Sequence, residues 1–245
     1  MGDILGLLSF GPGGWGDELL AGAWLTIRLA LATLPFGMVL GFLVALSRNS
    51  TAKGWHHSLL RGLGEIFTTI FRGLPELLTI FIVYYGGQIL LQNIVSAFSP
   101  GTYVEVNGFI AGMVALGLVF AAYSSEVFLA ALRAISKGQI EGAFALGLTR
   151  FQTLRLIVVP QLWRYALPGI SNLWLVLLKE TSLVSVIALS DLLRQTNMAV
   201  GNTKQPFLFY FVACMIYLVM SMISSIGLSA IEAWSYRGER KAGAA

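Results

Sequence analysis

Along this chain apolar residues do not alternate with polar ones. They run in long blocks separated by short polar segments. Leu29 to Leu46 holds no ionisable side chain, and extending it back to Leu19 adds only Arg28. Leu77 to Val95, Gly108 to Ser125 and Phe207 to Ile231 are also uncharged, and Tyr165 to Ser190 is apolar apart from Lys179 and Glu180 in its middle. A helix needs about 20 mostly apolar residues to cross a bilayer core, so these blocks predict five spans. A shorter apolar piece, Ile66 to Phe71, precedes the second one and ends in "FRGLPE" at residues 71–76. There Gly73 weakens a helix and Pro75 removes a donor from it. If that interruption is a turn, the count rises to six.

Composition agrees with a membrane chain. Of the 245 residues, 56% are hydrophobic and only 11% charged, against about 25% charged in soluble domains. The net charge of +4 does not point to nucleic acid, because the basic residues are spread between apolar blocks rather than clustered with aromatics. The single cysteine, Cys214, excludes an internal disulfide and reads as a small packing residue. The first 27 residues contain no Lys or Arg but include Asp3, Asp17 and Glu18, unlike the positive start of a secretory signal. "GPGGWG" follows no strand pattern and reads as part of a lead-in.

Positive charge sets the orientation. With the N-terminus outside, the inner segments carry Arg48, Lys53, Arg61, Arg133, Lys137, Arg150, Arg155, Arg164, Arg237, Arg240 and Lys241, eleven of the sixteen basic residues. The outer segments then hold Arg194 and Lys204 beside Asp3, Asp17, Glu18, Glu105 and Asp191. The stretch "EGAFALGLTRFQTLRLIVVP", residues 141–160, therefore faces the cytoplasm. Gln139 to Leu146 suits a short helix bounded by Gly138 and Gly147, with Ile140 and Phe144 on one face. A second amphipathic piece runs from Thr149 to Val159, and Pro160 marks a kink or a new start. On physical grounds the stretch is either an interfacial helix on the inner leaflet or a knob that enters a partner's groove.

The spacing Glu141, Gly142, Ala143, then Gly147, Ile157, Val159 and Pro160 resembles the signature loop of the permeases of ABC importers. It departs from that pattern at Gly142, where Ala is usual, and at Val159, where Leu is usual. "TIRLALAT", "FRGLPELL", "AYSSEVFLAALRAISKGQIEGA" and "LLKETSLVSVI" are similar to the polar amino acid uptake branch that serves histidine, arginine, ornithine and opines. The resemblance covers nearly the whole chain. It implies an all-α integral membrane protein with the type I importer permease fold: a lead-in over 1–18, a permease domain over 19–234 and a cytoplasmic tail over 235–245. The loop at 137–160 would supply the coupling helix, with Glu141, Gly142, Ala143, Phe144 and Gly147 meeting the ATPase. The implied partners are an ATP-binding cassette subunit, a second permease that is identical or related, a periplasmic solute-binding protein and an amino acid substrate. Residence in the bacterial inner membrane follows. ATP and magnesium would be bound by the cassette subunit, and no cofactor or metal is expected in this chain.

Charges within spans are costly and usually face a polar interior. Arg28 suits snorkelling at the outer end of its span. Glu126 ends the third span near the cytoplasm, with Arg133 two turns on, and suits a structural hydrogen-bonding role. Arg72 either pairs with Glu76, four residues on, or grips a substrate carboxylate with its planar fork. Lys179 and Glu180 point about 100° apart on a helix, so one can pair locally while the other faces a pathway. Arg72, Glu76, Lys179 and Glu180 are the candidate substrate residues, with Glu180 for a cationic group. The chain lacks a Gly-Lys-Ser/Thr phosphate loop. His56 and His57 stand alone in a basic loop without the carboxylates that a hydrolase or metal site requires. A stand-alone secondary transporter would fit the buried charges, but leaves the 141–160 stretch without a purpose.

Overall fold

The computed structural model describes residues 6–11, 13–49, 55–187 and 189–236, and every regular element among them is helical. The readings made for Asp3, Lys53, Arg237, Arg240, Lys241 and most of the tail fall outside the described residues. The elements are α1 (Gly16–Asn49), α2 (Trp55–Gly73), α3 (Glu76–Phe98), α4 (Gly108–Ala134), α5 (Lys137–Ala145), α6 (Arg150–Glu180), α7 (Leu192–Thr203) and α8 (Pro206–Ser235). A π turn, Ile82–Gly86, lies within α3, another, Leu154–Val158, lies within α6, and a 3₁₀ segment, Thr181–Ile187, follows α6. Among the described residues five helices are long and apolar enough to cross a membrane: α1, α3, α4, α6 with its 3₁₀ extension, and α8.

The interruption at 71–76 separates α2 from the second span and does not kink a single helix. Pro75 takes an extended conformation as the N-cap of α3, and α2 does not qualify as a span. After the π turn in α6, and within one continuous helical run, the regular α-helix resumes at Val159, one residue before Pro160. The π turn just before it already disrupts the i→i−4 bonds that a proline would break. The third span reaches Ala134, so Glu126 lies inside α4 and not at its end. Cys214 is exposed: α8 packs inward through Phe209 and Ala213, and the next residue turns away from that contact.

Contacts divide the chain into two compact units. The first comprises Met1–Phe36, Leu74–Val119 and Val176–Met222; the second comprises Gly37–Gly73, Phe120–Leu175 and Ile223–Ala245. Lipid tails are as apolar as leucine, so membrane helices are held by close packing and hydrogen bonds more than by hydrophobicity. The second unit packs Ala45, Phe128, Leu129, Leu162, Ala166 and Ile170, with Phe42 edge-on to Phe128 at 5.4 Å. Gly41 lets α1 touch α4, since a Cβ there would lie 2.8 Å from the Ala121 carbonyl oxygen.

In the first unit Leu19, Ala23, Leu192, Ala199, Phe209 and Ala213 form the core. Asp191 caps α7, its carboxylate accepting from the N–H groups of Leu193 (3.3 Å) and Arg194 (3.1 Å), while the Thr26 hydroxyl accepts from Leu192 N–H at 3.3 Å. Asp191 is fully buried. Burial pushes its carboxyl up from 3.8 to about 6, against the opposing pull of those backbone N–H groups. Because the folded chain holds this proton more tightly than the unfolded one, Asp191 costs stability as pH rises from about 4 to about 6. Asp191→Asn keeps a good N-cap and removes the titration. Its melting temperature in detergent is expected to lose wild type's decline over that window; an unchanged decline would assign it to another group.

Candidate functional site

The 137–160 loop lies wholly in the second unit, and its shape follows from its end signals. Helix α5 closes in a Schellman motif: Leu148 N–H donates to the Ala143 carbonyl at 3.1 Å, and Gly147 N–H donates to Phe144 at 3.0 Å. That closure requires a left-handed residue, and Gly147 has φ +80°. Thr149 then caps α6 in a reciprocal capping box, accepting from Gln152 N–H at 3.3 Å while Gln152 Oε1 accepts from Thr149 N–H at 2.8 Å. Ala143 is buried and Ile140 half-buried, which anchors one face of α5. Glu141, Gly142 and Phe144 are exposed, and Leu146 is 83% exposed at the tip. Phe151, also exposed, is the second residue of the next helix.

Sequence reasoning missed Leu146 and Phe151, although a large apolar residue directly before a C′ glycine was the available signal. Nothing lies within 4 Å of the position a Cβ would take on Gly142. Gly142→Ala should therefore stabilise α5 by up to about 1 kcal/mol through helix propensity and leave uptake unchanged. A transport defect in that variant would mean that the bare backbone itself meets a partner.

A second feature of the same unit surrounds Glu126. One carboxylate oxygen accepts from Arg48 at 2.9 Å and from Arg72 at 2.7 Å, and the Arg72 guanidinium lies 5.7 Å from the centre of the Tyr123 ring. Arg48 also approaches the Ser125 hydroxyl at 3.4 Å. Arg72 thus pairs with Glu126 and not with Glu76. The helix ends at Gly73 and restarts at Glu76, so the i,i+4 neighbourhood that would join Arg72 to Glu76 is absent. The Arg133 two turns on is not the partner of Glu126; arginines from two other helices are.

In the first unit, the start of α3 packs against the 3₁₀ segment after α6. Glu76, at the start of α3, and Glu180, directly before that 3₁₀ segment, therefore belong to neighbouring elements, with Lys179 next to Glu180 in the chain. Glu180 is half-buried and Lys179 exposed, as expected for neighbours 100° apart. Among the described residues no cluster of His, Cys, Asp and Glu has the makings of a metal site.

The sequence model of the family described as "Binding-protein-dependent transport system inner membrane component" matches residues 37–234. The nopaline transport system permease protein of Agrobacterium fabrum is 42% identical over 237 residues, covering 96% of this chain and 98% of that protein. The histidine/lysine/arginine/ornithine transport system permease protein of Escherichia coli K12 is 38% identical, covering 86% of this chain and 90% of that one. Among solved structures, the crystal structure of an amino acid ABC transporter with histidines superposes with a TM-score of 0.73 at 28% identity, over 89% of this chain and 94% of that one. All-helical, with five spans and the fold of type I ABC importer permeases, this chain belongs to the family of inner membrane components of binding-protein-dependent transport systems.

Proposed function

We propose that this chain is the membrane-spanning permease subunit of an ATP-driven importer that carries cationic amino acids or opines into the cytoplasm. The observation that carries this reading is the Schellman-closed knob of α5. Its exposed Glu141, Phe144 and Leu146 suit insertion into a groove of an ATP-hydrolysing subunit. That subunit holds the ATP and magnesium; this chain binds neither. A second permease, identical or related, completes the pathway, and a periplasmic solute-binding protein delivers the substrate. The N-terminus lies outside and the C-terminus in the cytoplasm, as the distribution of Lys and Arg favours. The substrate class is supported by the relatives, which serve nopaline in one case and histidine, lysine, arginine and ornithine in the other.

Glu180, helped by Glu76, attracts the cationic group of the substrate, and Lys179 limits the negative charge there. In the other unit Arg72 gives one donor nitrogen to Glu126, which leaves donors of its fork for a carboxylate. In the cycle, ATP-driven closure of the cassette subunits moves the coupling helices and opens the pathway outward, and hydrolysis resets it. The test uses the chain reconstituted with its cassette subunit, partner permease and binding protein. Radiolabelled arginine should enter only with ATP, compete with cationic amino acids and opines, and enter about tenfold less well in Glu180→Gln, the equivalent of one lost charge contact. Uptake that persists without the cassette subunit would make the chain a stand-alone secondary transporter. Uptake indifferent to Glu180 would place selectivity in the binding protein.

A further inference from the structure

Residues 102–106, between α3 and α4, belong to no helix or strand among the described residues, but the alternation of their engaged backbone groups, at 102, 104 and 106, is that of an extended chain. Two glutamines one turn apart on α3 take the strand's place. Gln88 donates to the Val104 carbonyl at 2.8 Å and accepts from Val106 N–H at 2.7 Å. Gln92 donates to the Thr102 carbonyl at 2.9 Å and accepts from Val104 N–H at 3.3 Å. Each side-chain amide thus acts as a peptide group would, and together they hold one edge of the segment in register.

In an extended chain, backbone groups of successive residues point to opposite edges. The glutamines engage Thr102, Val104 and Val106, so the N–H and C=O groups of Tyr103 and Glu105 face away from α3. Among the described residues they find no hydrogen-bond partner. Side chains alternate as well: Val104 and Val106 are half-buried, while Glu105 is exposed and Tyr103 is 71% exposed. The result is a short, pre-ordered strand edge with an aromatic and a carboxylate standing on it. Such an edge is a template for a further strand.

We propose that residues 102–106 are a docking edge for an extended segment of the solute-binding protein, which pairs with the free groups of Tyr103 and Glu105 and sets a basic side chain against Glu105. This rests on the binding-protein dependence and the outside placement of this loop proposed above. Three observations select the occupant. Unpaired backbone and a carboxylate exclude lipid hydrocarbon. Glu105 is the only charge between residues 99 and 108, so a partner carrying Lys or Arg is complementary. A second copy of this chain would bring its own Glu105 to the same edge, and like charges across a strand pair repel.

The test uses the complete transporter in liposomes and follows ATP hydrolysis as liganded binding protein is titrated. Glu105→Lys should raise the half-saturating concentration of binding protein about tenfold, with the maximal rate and the basal hydrolysis retained, because an exposed rim charge acts on encounter more than on turnover. A photo-reactive phenylalanine analogue at position 103 should cross-link to the binding protein, and the same analogue at position 104, on the opposite face, should not. Gln88→Leu combined with Gln92→Leu frees the segment and should also raise half-saturation. An unchanged half-saturation in Glu105→Lys, or a cross-link from 103 to a second copy of this chain, overturns the proposal. Failure of the wild type to respond to binding protein would instead overturn the importer reading, and this proposal with it.

Discussion

In transporters carrying Gly147→Val, ATP-driven uptake is expected to fall to background while the chain still reaches the membrane. Space is not the issue, since nothing lies within 4 Å of a Cβ built on Gly147. The cost is conformational: φ is +80°, and a β-branched residue there is disfavoured by roughly 2 kcal/mol, about a 30-fold bias against the native turn. The two Schellman bonds to Ala143 and Phe144 are lost together, so the Leu146 tip no longer projects from a fixed place. Gly147→Asn, which tolerates the left-handed region, should keep most of the uptake. Measuring arginine uptake alongside membrane abundance for both variants separates a lost shape from a lost protein. Arginine uptake at the wild-type rate in Gly147→Val would show that the knob adapts to its partner and needs no preset form.

Glu126→Ala is expected to lower the stability of the chain by about 2 kcal/mol. Breaking a buried ion pair costs about 3–5 kcal/mol, because the remaining charge is left without compensation. The lower figure allows for solvent screening of a carboxylate that is 34% exposed. Arg48 bears most of the loss: its side chain is only 13% exposed, its Nε is buried without an acceptor, and Ser125 is a distant substitute. Arg72, 45% exposed, can turn to water. The check is a melting curve in detergent, with Arg48→Met combined with Glu126→Met as the companion. An apolar pair often matches the ion pair it replaces, so the double variant should recover most of the loss. A single variant that melts like the wild type would mean that this cluster contributes nothing to the fold.

The spans were legible because a bilayer demands about 20 apolar residues in a row, a requirement visible in any one chain. Gly147 and Thr149 were legible for a similar reason, since helix ends obey local rules. What escaped was non-local or phase-dependent. Arg48 and Arg72 lie 78 and 54 residues from Glu126, and no local spacing links them. Gln88 and Gln92 reach the backbone of residues 102–106 across a loop, a pairing that no local spacing marks. The π turn before Pro160 was also hidden, because the residues "LRLIV" at 154–158 carry no mark of one.

The other π turn, Ile82–Gly86, acts as a one-residue insertion into an otherwise ordinary helix. A related chain shorter by one residue here would still form a span of nearly the same length and hydrophobicity. Everything beyond the turn would rotate by about 100° relative to Glu76 and Thr79. Gln88 and Gln92 would then swing off the 102–106 backbone, and the loop would lose its brace. Among relatives, a gap falling in these five positions therefore signals a change in which face the second half of the helix presents, even where every residue on either side of it is the same.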